Sequence, residues 1–169
     1  MKAVTYSEYA PDDNYAKILK VQDIDDPKPK ADEVVFEVKS AALNYNDIWG
    51  MRGQPVPVPL PHVSGSDAAG DVIAVGDDVK NIKVGDRVVS HSNMSCRVCK
   101  ACTDGREFDC TKRTIWGFQT GPNWGAFQEV THLPEVNVSK IPEGVSYDDA
   151  AAASMTILTS WHMLVGRAK

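Results

Sequence analysis

All four cysteines of the chain fall within residues 96–110, in the stretch CRVCKACTDGREFDC, spaced Cys96-x2-Cys99-x2-Cys102-x7-Cys110. Four thiolates in one short loop can enclose a tetrahedral Zn²⁺ at about 2.3 Å each. A fully protein-ligated ion has no open position for water or substrate, so the site expected here is structural rather than catalytic. Iron suits four thiolates as well, and spacing does not choose between the metals. A CxxC redox pair is a competing reading, but it belongs beside a βαβ pattern that neither flank supplies. Unligated buried cysteines are another, and they would not sit among Arg97, Lys100, Thr103 and Asp104.

The elements that must hold this loop are mostly strands. Residues 2–6, 16–23, 33–43, 68–75 and 86–91 read as β-structure, Val34-Val35-Phe36-Glu37-Val38 most clearly, because β-branched and aromatic side chains suit a pleated surface. Asp25-Asp26-Pro27, Gly76-Asp77-Asp78 and Gly85-Asp86 punctuate them as turns. The run PVPVPLP over residues 55–61 is held extended, since each proline fixes its own φ and restricts its predecessor. Strands over 125–133 and 136–141 follow the cysteine loop. After the turn Pro142-Glu143-Gly144, Ser146 can cap a helix over 147–165, a stretch without proline or glycine that carries Asp148 and Asp149 in its first turn.

Composition bounds the class. With 169 residues, 43% hydrophobic and 24% charged, the chain fits one globular domain. A net charge of −5 with no basic tract argues against nucleic-acid partners and anionic membranes. No apolar run reaches the length of a membrane span, and the opening MKAVTYSEYA reads as a strand rather than a signal peptide, so a cytoplasmic location is expected.

Taken in order, these pieces resemble the medium-chain dehydrogenase/reductase superfamily, the zinc alcohol dehydrogenase and quinone reductase group. The cysteine spacing is similar to that family's structural zinc lobe, AAGDVIAVGDDVKNIKVGDRVV to its barrel segment, and IPEGVSYDDAAAASMTILTSWHML to the helix leading into its nucleotide domain. The resemblance implies a mainly β GroES-like, partly open barrel over residues 1–145, with a zinc lobe at 92–114 and a junction helix at 146–169. It also implies a following Rossmann domain. No GxGxxG occurs in this sequence, so the expectation is a fragment that binds zinc but neither holds a dinucleotide tightly nor turns over alone.

Resemblance further places the family's catalytic-zinc ligands at Asn44, Ser66 and Met155, with Asp67 behind them. Amide and hydroxyl are weak neutral donors and a thioether is soft, so this set is expected to have lost the catalytic ion. His62, His91, His132 and His162 read as ordinary packed or exposed histidines. Without a Lewis acid, reduction of an activated C=C bond is favoured over alcohol oxidation. LNYNDIWG, HVSGSDAAG and IWGFQTGPNWGAFQEV look like the crotonyl-CoA and acrylyl-CoA reductase branch. That implies substrate contacts from Asn44, Asn46, Trp116, Phe118 and Gln119, and cofactor contacts from Tyr45 and Thr159. It implies NADPH or NADH as the cofactor of the full-length, homo-oligomeric enzyme, and a small acyl-CoA or quinone as substrate. Carboxylating members usually carry Glu at the position of Gln119, so plain reduction is expected. A quinone oxidoreductase, a zinc alcohol dehydrogenase and a stand-alone zinc-stabilised barrel for protein interaction are the alternatives.

Overall fold

The computed structural model describes residues 1–168. A five-stranded antiparallel sheet in the order β8-β3-β4-β5-β9 curls into an open half-barrel. Its strands are β3 (Glu33–Ala42), β4 (Asp67–Val75), β5 (Arg87–Ser90), β8 (Val130–Pro134) and β9 (Val138–Lys140). The central pair bends because β3 carries register shifts between Val35 and Phe36 and between Val38 and Ser40. Val34, Phe36, Val72, Val88, Leu133 and Trp116 fill the concave face. Two small ribbons flank the sheet: β1 (Lys2–Thr5) with β2 (Lys20–Asp23), and β6 (Asn93–Met94) with β7 (Thr114–Ile115).

Four α-helices are described: α1 (Tyr15–Ile18), α2 (Tyr45–Arg52), α3 (Lys100–Thr103) and α4 (Tyr147–Trp161). The expectation of a mainly β, partly open barrel holds, with local corrections. Residues 16–23 are not one strand. Tyr15–Ile18 forms a helical turn that buries Ile18 beside Tyr6, Met51 and Phe118, and the strand starts only at Lys20. The strand expected over 125–133 begins at Val130, because Gly125 and Ala126 lie against the backbone of residues 63–65. Ala126 N donates there to Ser64 O at 3.0 Å and Gly65 O at 2.9 Å. Residues 135–137 form a 3₁₀ turn before β9. The last helix is α-helical to Trp161 and continues as a π-helical turn over His162–Arg167.

α2 escaped the strand reading although its signal is present. Asn44 caps it, and Asp47 reaches back to the Asn44 N–H at 2.8 Å, completing a capping box. Gly53, at φ +69°, closes the helix in the left-handed region. Ser146 caps α4 by accepting from Asp149 N at 3.0 Å, as its sequence indicated. α4 then lays Ala150 and Ala151 on Ala69 and Ile141.

Gly117 sits at φ +73°, and a Cβ there would run into the Gly65 carbonyl. Gly117→Ala is therefore expected to cost roughly 3 kcal/mol or more, since backbone strain and a backbone clash add. Urea unfolding of the two proteins checks this; a difference under about 1 kcal/mol would contradict the close approach.

Candidate functional site

The four cysteine sulfurs lie within 4.8 Å of one another. The Sγ–Sγ separations are 3.4 Å for Cys99–Cys102, 3.6 Å for Cys110–Cys96 and 3.9 Å for Cys96–Cys102. A tetrahedron with metal–sulfur bonds of about 2.3 Å has edges of about 3.8 Å, whereas a disulfide needs about 2.05 Å. All four thiols are free, and their spacing is that of an ion's coordination shell. Backbone N–H groups of Val98 and Cys99 aimed at Cys96 bring its thiol down to about 6, while at Cys99 the Cys102 N–H is outweighed by the contacts with the Cys102 and Cys96 thiols, which push it up to about 11. Between residues 96 and 110 only Cys102 and Cys110 are buried. The lobe has almost no apolar core of its own, so an ion is the crosslink that would hold it.

The second cluster sits where α2, β4 and α4 converge. The capping turn places Asn44 and Asn46, the start of β4 supplies Ser66 and Asp67, and α4 supplies Ser154 and Met155. Asn44 is committed on both sides: its Oδ1 accepts from Tyr45 N at 2.8 Å and its Nδ2 donates to Asp67 Oδ2 at 3.3 Å. Asp67 also accepts from Met155 N at 2.7 Å, stitching helix to sheet. Burial raises the Asp67 carboxyl above its ordinary range, opposed by Met155 N–H, Asn44 and Ser154. Asn46 differs. It is 5% exposed, its Nδ2 lies 2.7 Å from Ser66 Oγ and 4.0 Å from Met155 Sδ, and its Oδ1 has no partner. A buried carboxamide with one uncommitted end is costly unless a water or ligand meets it.

The residues at Asn44, Ser66 and Met155 do not fit a catalytic zinc. Amide and hydroxyl are neutral donors, the thioether is soft, and Asn44 is already spent on Tyr45 and Asp67.

Other expected site residues are dispersed. Phe118 is buried in the second core with its ring 6.4 Å from Trp49, which itself meets Tyr45 edge-on at 5.4 Å. Tyr45 is exposed beside Arg52. Trp116 is 0% exposed and belongs to the main core, so it walls no cleft here; the half-exposed indole near this site is Trp49. Gln119 turns its Oε1 back to Ile115 N at 3.0 Å. Thr159 opens instead into a separate cavity of about 420 Å³ between α4 and the cysteine lobe. His62 is fully buried, with its ring nitrogens 3.1 Å from Pro59 O and 3.0 Å from Gly117 O, in keeping with a packing role.

Asp47 was missed as a site-shaping residue, although Asn44-x-x-Asp47 is a legible capping pattern. Its Oδ1 accepts from Gly65 N at 2.9 Å, tying α2 to the loop that carries Ser66. Burial pushes its carboxyl up to about 6, against the pull of the Asn44 and Gly65 N–H groups. Its folded pKa lies above the unfolded value, so its contribution to stability is fully present below about pH 4 and is lost as pH rises through about 6. The ¹³C carboxyl signal of Asp47 should titrate near pH 6; a midpoint near 4 would contradict the desolvation argument.

Residues 30–143 match the family model for the alcohol dehydrogenase GroES-like domain. The chain belongs to that family, within the medium-chain dehydrogenases/reductases. It is 35% identical over 154 residues to crotonyl-CoA carboxylase/reductase of Cereibacter sphaeroides, covering 88% of this chain and 35% of that protein. It is 32% identical over 138 residues to L-threonine 3-dehydrogenase of Francisella tularensis subsp. novicida, covering 79% of this chain and 38% of the relative. The fold superposes on an NAD-dependent alcohol dehydrogenase with a TM-score of 0.90 at 37% identity, covering 99% of this chain and 47% of that one. A crotonyl-CoA carboxylase/reductase structure gives 0.87 at 29% identity, over 99% of this chain and 40% of its own. The GroES-like chain thus spans between about a third and just under half of the length of these relatives. Among the described residues no helix is long and apolar enough to cross a membrane.

Proposed function

We propose that this chain is the catalytic barrel of an NAD(P)H-dependent reductase that acts, in the whole protein, on an activated C=C bond of an enoyl-CoA of the crotonyl or acrylyl type. The barrel is assigned residues 1–145, and 146–169 lead into a nucleotide-binding domain that completes the enzyme. NADPH is the preferred cofactor, by resemblance, and the chain alone is inactive.

The observation that carries this reading is the Asn46 carboxamide. Rotated half a turn, it accepts from the Ser66 hydroxyl through Oδ1, and Nδ2 becomes the uncommitted atom. In that orientation the two N–H donors of Nδ2 take the place of the orphaned oxygen, buried and without a protein partner. A thioester carbonyl gains negative charge at oxygen as hydride reaches the β-carbon. Fixed amide donors in a buried site stabilise that charge at little reorganisation cost. Asn44, held by Asp67 and the cap, positions the α2 turn that presents Asn46. The nicotinamide supplies the hydride when bound; this chain's part is to hold the acceptor oxygen and keep water out. Likeness to a crotonyl-CoA carboxylase/reductase in sequence and fold supports the substrate class.

Zinc is the metal we assign to Cys96, Cys99, Cys102 and Cys110, where it would order the lobe and touch no substrate. We further propose Phe118 and Gln119 at the substrate end, and Tyr45 and Thr159 toward the cofactor.

A second reading has a specific observation behind it: the high fold similarity and identity to an NAD-dependent alcohol dehydrogenase. Steady-state assays on the whole protein separate the readings. Oxidation of NADPH with crotonyl-CoA, and no reduction of NAD⁺ with simple alcohols, is the expected result. Alcohol oxidation without enoyl-CoA turnover, or preference for a quinone, would overturn the proposal.

A further inference from the structure

We infer that Phe108 is a positioning residue. It clamps the end of α4, so that the metal state of the cysteine lobe governs the order of the helical segment carrying Thr159. The inference rests on reading the four thiolates as a metal site, and goes beyond it by giving the lobe a task outside itself.

Phe108 lies on the 3₁₀ turn Glu107–Asp109, immediately before the ligand Cys110. That turn is built by the loop the metal would close: Cys110 N donates to Glu107 O at 3.0 Å, Asp109 N to Arg106 O at 2.9 Å, and Arg97 Nη1 to Glu107 Oε1 at 2.7 Å. From it the Phe108 ring meets the His162 ring with centroids 4.4 Å apart. The Arg167 guanidinium stands over the Phe108 ring, 4.8 Å from its centroid, and its Nη2 lies 3.6 Å from Asp109 Oδ1. Arg167 Nε also donates to His162 Nε2 at 3.3 Å, joining the two ends of the π-helical turn.

The middle of α4 is tied to the barrel by Ser154 Oγ on Ser90 O at 2.6 Å and Met155 N on Asp67. Past Met155, among the described residues, the side-chain hydrogen bonds, ion pairs and ring contacts that leave the helix go to the lobe. Ile157, Trp161, Met163, Leu164 and Val165 are exposed. The space between lobe and helix is a cavity of about 420 Å³ rather than packed core, bounded by Glu107, Phe108 and Arg113 on one side and Leu158, Thr159 and His162 on the other. A few ring and charge contacts therefore bridge an open gap, and they stand on a turn that the four sulfurs hold. Local opening of a helix end is governed by such contacts.

Hydrogen exchange followed by mass spectrometry on the metal-loaded protein, the chelator-stripped protein, and the loaded F108A and F108Y variants tests this. Stripping is expected to speed exchange of residues 158–167 by about tenfold or more. F108A should do the same with metal content unchanged and residues 45–52 unaffected. F108Y, which keeps the ring, should restore the slow exchange; a residue that only fills space in the lobe would instead loosen residues 96–110 in F108A. Unchanged exchange over 158–167 in fully loaded F108A would overturn the clamp. So would stripping that loosens the lobe alone. Metal content measured on the same samples separates the two failures: a protein that never held metal refutes the thiolate site, while the F108A comparison still judges the clamp.

Discussion

Replacing Asn46 with alanine in the whole protein is expected to lower kcat by about 10²–10³-fold and leave KM within a few-fold, the effect of removing one oxyanion donor. The split follows from when the interaction strengthens. A ground-state thioester oxygen is a modest acceptor and the enolate-like oxygen a strong one, so the amide's contribution appears mainly in the transition state. Asn46→Asp is the sharper variant. It keeps the size and one oxygen but substitutes acceptors for the donor, and places a buried carboxylate near Asp67. It should be at least as damaging as alanine. Asn44→Ala should act differently, because the Asn44 side chain is engaged by Tyr45 N and Asp67. Losing an N-cap costs about 1 kcal/mol of stability. A larger fall in kcat for Asn44→Ala than for Asn46→Ala would reverse the assignment.

Cys110→Ser is the second large effect. Structural zinc bound by thiolates contributes on the order of 10–16 kcal/mol in small domains, or about 3 kcal/mol per ligand, so one lost thiolate should weaken binding by about a hundredfold. Competition against a chromophoric chelator reads this directly. The half-barrel should survive, since the core of Val34, Phe36, Val72, Val88 and Leu133 includes none of residues 96–110, and Met94 at the edge of the lobe only borders it. Far-UV circular dichroism of the variant should thus keep its β signal while affinity falls. Equal zinc affinity in Cys110→Ser and the parent would show that the ion is held elsewhere.

Much of this was legible in residue types. The β-branched run of β3, the turn glycines and the Ser146 cap announced their elements because each depends on local chemistry. The cysteine spacing announced the lobe for the same reason, and the sulfurs do converge. What the sequence hid was decided by tertiary contact. Tyr15–Ile18 is helical because Ile18 is drawn into a core assembled from distant Tyr6, Met51 and Phe118. Trp116, flanked by Ile115 and Gly117, could have been wall or core; the curl of the sheet encloses it. Neither Asn44 nor Asn46 could be preferred from sequence, since both are amides in one capping turn. Only the partners that β4 and α4 bring to them show which one remains uncommitted. Asp47 was within reach as a capping residue, but its second bond to Gly65 required the fold.

The proposed division is between a four-thiolate metal lobe and a metal-free cluster of amide, hydroxyl and thioether groups around Asp67. Elemental analysis of the purified, unstripped protein tests that division most directly. It should find one zinc per chain, bound through residues 96–110 and lost in Cys110→Ser. Two zinc ions per chain, the second surviving in that variant, would place a cation among Asn44, Ser66 and Met155 and contradict it.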